Sequence, residues 1–318
     1  MPAKLWFTMT LTMILLFGLL FGILAAIGYF FELSGYVVVL SAIILVVIQW
    51  YVSPYIIKWT TNMQELKKEE EPWIFKTVEN LCKKTKTPTP KIAIANVGSP
   101  NAFVFGRTPS SATLVLTRGL LKNLSKEEVE AVIAHEIGHI NHKDMVVMTV
   151  VGAIPVLAYF VARFLIFAPS REDRKNVGGV ALVGVFAFIA YVISNLLVLL
   201  LSRLREFYAD RFSGENTRPR ALANALAKIT YGLSISRENG RNSAVRPFFI
   251  ADPLTAKKEV SKFSKEYEDL RLEESEVEKA MEWEEKNPLL RLLEFTSTHP
   301  LTFKRIKALL EMEKGLKL

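Results

Sequence analysis

Cysteine and histidine are the scarce residues of this chain. A single cysteine, Cys82, excludes an internal disulfide and agrees with a cytoplasmic domain. There are four histidines, so a histidine-built site can draw only on His135, His139, His142 and His299. Internal repeats are absent. No stretch interleaves basic and aromatic residues as a base-stacking surface does, so the formal net charge of +8 does not point to nucleic acid. Several basic residues, Lys4, Lys58, Arg203 and Arg205, instead stand beside apolar runs. Membrane orientation and contact with anionic lipid account for them there.

Apolar residues are abundant, 50% of the 318, and they are concentrated in blocks. Residues 5–31, 36–51, 145–168 and 177–201 form four long runs. Each approaches or exceeds the ~20 residues that cross a bilayer core, the second with its flank through residue 57. The first run is too long for a cleaved signal peptide and lacks a clear small-residue cleavage site, so it reads as a retained anchor. The turn at 32–35 carries no Lys or Arg, whereas residues 58–91 are rich in Lys. The N-terminus and the segment after the second span are therefore expected in the cytoplasm. By parity the turn at 169–176 lies outside, although it carries Arg171, Arg174 and Lys175, offset by Glu172 and Asp173. The expected division is two transmembrane helices in 1–58, a first part of a cytoplasmic domain in 59–144, a transmembrane helical hairpin in 145–201 and the second part of the domain in 202–318.

Outside the runs, Pro72 suits the first turn of a helix over 72–86, ended by Thr87-Pro88-Thr89-Pro90. Residues 91–96, 101–106 and 112–117 read as strands with a turn at 106–111, together a small antiparallel sheet. Asn101, Ala102 and Phe103 either pack this sheet or form an edge that holds substrate backbone by strand addition. Ser125 and Glu128 make a capping box for a helix with Val129, Val132, Ile133 and Ile137 as its buried stripe, ending near Asp144. The fourth run continues without a breaker through 202–210. Pro219 opens another helix, with Ala221, Leu222, Ala225 and Ile229 on its apolar face. Residues 234–248 read as loop, 257–286 as a solvated helix or mobile insertion, and 301–314 as a last helix.

The chemistry is concentrated in His135-Glu136-Ile137-Gly138-His139. Histidines four apart on a helix share one face, one turn apart, and can bind a single zinc ion. Glu136 then stands where a general base acts on water. A catalytic zinc takes three protein ligands and keeps one open position. His142 lies about 10 Å along the helix axis from His135, too far to share its ion. Glu206 is the better third ligand. His139 precedes the third apolar run by six residues and Glu206 follows the fourth by five, so an antiparallel hairpin returns both to similar heights. Asp210, four beyond Glu206, can accept the second proton of a ligand histidine. The alternative for Glu206 is a salt bridge to a neighbouring Arg, which leaves an uncommon two-ligand site.

The zinc helix, two spans and then Ser202-Arg203, Arg205-Glu206-Phe207 and Ala209-Asp210 resemble the HtpX family of membrane zinc metalloproteases. So do Asn101-Ala102-Phe103 with Gly106-Arg107, Thr117 with Gly119-Leu120-Leu121, and Ser297-Thr298-His299-Pro300 with Arg305-Ile306. Val104-Phe105 is bulkier than the family's usual small residues there. The resemblance covers the chain from about residue 60 to its end. It implies one zinc on His135, His139 and Glu206, Glu136 as base, a cytoplasmic active site, polypeptide substrates and a role in membrane-protein quality control. His299, before a proline that fixes its turn, is either an oxyanion donor or a helix-capping histidine. The expected fold is mainly α with a small antiparallel β-sheet: a four-span membrane protein carrying a cytoplasmic zincin-like metalloprotease domain. Two rivals remain, a CAAX prenyl-protein endopeptidase and a membrane zinc transporter. The first encloses its site in more membrane helices. The second needs the motif inside an apolar span, whereas Lys126, Glu127, Glu128 and Glu130 precede it and Lys143 and Asp144 follow it. A non-catalytic scaffold has no use for Glu136.

Overall fold

The structure, a computed structural model, describes residues 3–31, 35–61, 63–167, 177–235, 281–282 and 285–315. The turn at 169–176, most of the turn at 32–35, nearly all of the loop expected at 234–248 and most of the charged stretch 257–286 lie outside them. The chain divides into two compact units, Met1–Ser53 with Val146–Leu201, and Pro54–Met145 with Ser202–Leu318.

The first unit is helical. It takes in α1 (Ala3–Phe31) and most of α2 (Gly35–Thr61), α6 (Asp144–Phe167) and the longer part of α7 (Val177–Asn216). Among the described residues three helices are long and apolar enough to cross a membrane, through Phe7–Leu24, Asp144–Arg163 and Leu182–Asn216. Their large apolar side chains, such as Phe21, Phe160 and Phe186, face outward, while Leu16, Val151, Ile154 and Leu201 form a small inner cluster. Apolar residues on the outside are what a lipid solvent selects.

The second unit holds the sheet and the remaining helices. β1 (Met63–Glu65), β2 (Lys91–Ala95), β3 (Ala102–Phe105) and β4 (Thr113–Thr117) stand in the order β1-β2-β4-β3. The sheet is mixed, not antiparallel: β2 and β4 run parallel, with antiparallel partners β1 and β3 outside them. The reason lies in the core. β4 inserts between β2 and β3, so these two strands, consecutive in sequence, are not neighbours. Ile92, Ile94, Leu114, Leu116 and Ala102 join the main core on one face, while Ala93, Ala95, Val115, Phe103 and Phe105 form a second cluster on the other. Strands apolar on both faces are the mark of a sheet centre covered on both sides.

α3 (Pro72–Thr85) and α5 (Lys126–Asn141) contribute to the main core, with α8 (Pro219–Ile235) and α10 (Thr302–Glu313) behind. A short helix, α4 (Arg118–Asn123), follows β4, and α9 (Pro288–Glu294) precedes the last turn. α5 begins as expected: Glu128 N–H donates to Ser125 Oγ at 3.3 Å and Ser125 N–H to Glu128 Oε2 at 2.7 Å. Lys228 of α8 adds an ion pair to Glu128 at 2.7 Å, fixing this helix end. Val129, Val132, Ile133 and Ile137 are buried.

Candidate metal centre

α5 and α7 come close because Gly138 has no side chain. A Cβ there would sit 3.2 Å from Ala209 Cα and 3.2 Å from Phe212 Cβ. Ser213 of α7 donates to the Ala131 carbonyl at 2.7 Å, a second tie between the helices. The crossing sets the two histidines of α5 against Glu206 of α7. The Nε2 atoms of His135 and His139 lie 3.2 Å apart. Glu206 Oε2 is 3.5 Å from His135 Nε2, and Oε1 is 3.6 Å from His139 Nε2. For ligand bonds of about 2.0–2.1 Å, the edges of a zinc tetrahedron are roughly 3.3 Å. The two nitrogens, and each nitrogen with its nearer Glu206 oxygen, thus stand close to such an edge length, and one donor atom from each residue lies within 4.8 Å of the others. Among the described residues, this is the group of His, Asp and Glu side chains near enough to share an ion.

The outer ring nitrogens are also provided for. His135 Nδ1 is 3.0 Å from Asp210 Oδ1, and His139 Nδ1 is 2.6 Å from Asp144 Oδ2. At His139 the carboxylate accepts from Nδ1 and leaves Nε2 as the ligand atom, while Asp210 lies beside His135 Nδ1 out of hydrogen-bond alignment. Asp144 reaches this place through a left-handed turn at Lys143 (φ 59°), which ends α5 and starts α6 in a new direction. It also pairs with Arg205, whose guanidinium donates to the His142 carbonyl at 2.8 Å.

Arg305 closes the cluster from α10. Its Nε and Nη2 donate to Asp210 at 2.8 and 2.7 Å, and Nη1 lies 3.1 Å from Glu206 Oε2. At 1% exposure this guanidinium is justified only by the two carboxylates it neutralises. Burial alone would push the His135 imidazole down, but Asp210 and Glu206 outweigh it and pull it up to about 9. Burial pushes the His139 imidazole down and the Glu136 carboxyl up.

The remaining expected residues fall into three places. His299 Nε2 is 3.5 Å from Glu206 Oε1, and its Nδ1 meets Thr298 Oγ1 at 2.9 Å. The N-cap of α10 is Leu301, so His299 faces the cluster and does not cap the helix. His142 is the C-cap of α5, away from the three ligand atoms. Asn101 leads into β3, where its N–H donates to Thr117 Oγ1 at 2.9 Å; Ala102 and Phe103 are buried in β3 itself. That strand is at one end of the described sheet.

Spacing alone misses Asp144 and the role of Arg305, and it misreads Arg203 and Arg205 as contacts to lipid. Both arginines are under 10% exposed. Arg203 donates to the carbonyls of Glu294 and Ser297 at 2.8 Å each, pinning the segment that carries His299. Neither neighbouring arginine is the ion partner of Glu206; that partner comes from α10. A carboxylate five residues after His139 was the available sign of Asp144.

Comparison with known proteins agrees with this geometry. The family described as peptidase family M48 matches residues 68–313. A protease HtpX homolog of Methanothermobacter thermautotrophicus is 40% identical over 233 residues, covering 73% of this chain and 88% of that protein. The homologs of Aeropyrum pernix and Methanocaldococcus jannaschii are 34% and 33% identical over 298 residues, covering 89% and 92% of this chain and 89% and 93% of theirs. Among solved structures, S. mikatae Ste24p shares the fold with a TM-score of 0.52 at 18% identity, over 97% of this chain and 67% of that one. The chain belongs to peptidase family M48, among the HtpX proteases, and is a membrane metalloprotease.

Proposed function

We propose that the chain is a multi-pass zinc endopeptidase that cuts misfolded or damaged membrane proteins at the cytoplasmic face, its α2 serving as a fourth span. The carrying observation is the cluster of His135 Nε2, His139 Nε2 and the Glu206 carboxylate: the nitrogens are 3.2 Å apart, Oε2 is 3.5 Å from the first and Oε1 3.6 Å from the second, and a carboxylate lies beside each outer ring nitrogen. Nitrogen and carboxylate donors in this number suit zinc and leave a fourth position open. Bound there, zinc would acidify a water and polarise the scissile carbonyl.

The protein's own groups divide the remaining work. Glu136, buried and with its carboxyl pushed up by that burial, takes a proton from water and passes it to the leaving amine. His299 donates from its imidazole to the oxygen that gains charge. Arg305 does not react; it holds Asp210 and Glu206 in place. β3 takes the substrate backbone as an added strand. Thr117 N–H donates to the Asn101 carbonyl at 3.0 Å, so that pair bonds inward and, by alternation, Ala102 and Val104 turn their N–H and C=O groups away from β4.

The test is cleavage of an unfolded protein by the purified, zinc-loaded chain beside Glu136→Gln. The variant should keep one zinc per chain and lose roughly 10²–10⁴-fold in rate. Equal rates would remove Glu136 from the base role. Zinc transport into vesicles by a chain that cuts nothing would overturn the reading as a whole.

A further inference from the structure

α9 is a short helix that is apolar on both sides. Leu290 is buried against Leu301 and Phe303, as a core-facing residue should be. The outward side, however, carries Leu289, Leu292 and Phe295, which are 60%, 67% and 63% exposed. At 100° per residue these three fall within one arc of about 120°. Three large apolar side chains displayed together on one face need a covering partner, since isolated surface hydrophobes are ordinary but a contiguous patch is not.

The position of α9 identifies that partner. Arg203 stands two residues after Leu201, where the long apolar run of α7 ends. Its guanidinium holds the Glu294 and Ser297 carbonyls at 2.8 Å, on either side of Phe295. The C-terminal end of α9 is therefore one arginine side chain from the place where the apolar run of α7 ends. A helix held at that level with an apolar outer face has the properties of a segment lying in the lipid interface. Arg291, exposed at the margin of the arc, suits the phosphate level of the headgroups.

We propose that the Leu289–Leu292–Phe295 face of α9 is a lipid-contacting surface that dips into the membrane interface. It would anchor the following Ser297–His299 segment at the membrane surface, close to where a membrane-embedded chain emerges. The inference needs the chain to sit in a membrane but does not depend on which residues perform catalysis.

The test places a nitroxide spin label at Leu292→Cys, and separately at Phe295→Cys and Lys76→Cys, in the full chain with Cys82→Ala. Lys76 is exposed on α3 and serves as the water-facing reference. The proteins are reconstituted into vesicles of phosphatidylcholine and phosphatidylglycerol, and relaxation by oxygen is compared with relaxation by a water-soluble nickel chelate. Oxygen should dominate at positions 292 and 295 and nickel at 76. Nickel dominance at 292 and 295 would overturn the proposal. So would protection from both reagents. In that case, dipolar broadening relieved by unlabelled chain would show a second copy on this face, and its absence would show cover by the chain itself. Zinc content of the labelled proteins reports whether the second unit has folded, independently of the lipid reading.

Discussion

A carboxylate behind a ligand imidazole fixes its tautomer and raises its basicity, and the two candidate ligand histidines each have one nearby, from different places. His135 leans on Asp210, which Arg305 holds from two sides; His139 leans on Asp144, which shares its charge with Arg205. Asp144→Asn should therefore keep the three ligands yet weaken zinc binding about 10–100-fold, read by competition with a chromogenic chelator. Unchanged affinity would mean that Asp144 serves only Arg205. His142 gives a separate prediction about acid. Its ring packs edge-on against Tyr208 and Phe212, at 5.8 and 5.7 Å between centroids. Burial, aided by Arg205, pushes its imidazole down from 6.5 to about 4. The unfolded chain then binds more protons here than the folded one, so stability should fall as pH drops from about 6.5 towards about 4. His142→Phe, which keeps the aromatic contacts, should flatten that part of the profile. Thermal melts of metal-free wild type and variant across this range would show it; parallel curves would refute it.

At the scale of elements, β3 offers the plainest test of how substrate is held. Val104 is not in a mutually bonded pair with Leu114 and turns its N–H outward, so Val104→Pro removes an outward donor while leaving the ladder to β4 intact. It should raise KM for an unstructured polypeptide at least several-fold with zinc content unchanged; an unaltered KM would exclude strand addition at this edge. The sequence made many such elements readable, and the pattern of success is physical. The α5 site is local, since two histidines four apart need only a helix, and its start is written in Ser125 and Glu128. Glu206 could be reached because the apolar runs act as rulers of similar length. Pairing across long separations left no such ruler. Arg305 meets Asp210 from 95 residues away, and the motif that contains Arg305 does not reveal this partner. Asp144 depends on one left-handed residue, Lys143, which no propensity favours. The sheet order was hidden because alternation identifies a strand and not its neighbour. Ile92-Ala93-Ile94-Ala95 and Leu114-Val115-Leu116 did carry the sign of central strands, being apolar on both faces.

For the whole molecule, the consequence of the proposed site is that one ion would tie together distant parts of the chain. The candidate ligands lie on α5 and α7, and their carboxylate and arginine partners on α6, α7 and α10, so this cluster draws on both stretches of the second unit, Pro54–Met145 and Ser202–Leu318. Binding to the folded state alone adds RT ln(1 + [metal]/Kd), about 2.7 kcal/mol at a hundred times Kd. In a domain of 150–250 residues each kcal/mol moves the melting temperature by roughly 2–4 °C, so chelation should lower the melt of this unit by about 5–10 °C. Glu136→Gln should show the same drop, because Glu136 is not a ligand. His139→Ala should melt low with or without chelator, having lost a ligand. This three-way pattern separates an ion that holds the unit together from one that serves chemistry alone: if chelation empties the wild-type site and the melt does not move, the helices meet without it, and the buried ion pairs of Arg305 with Asp210 and Glu206 are sufficient to hold them.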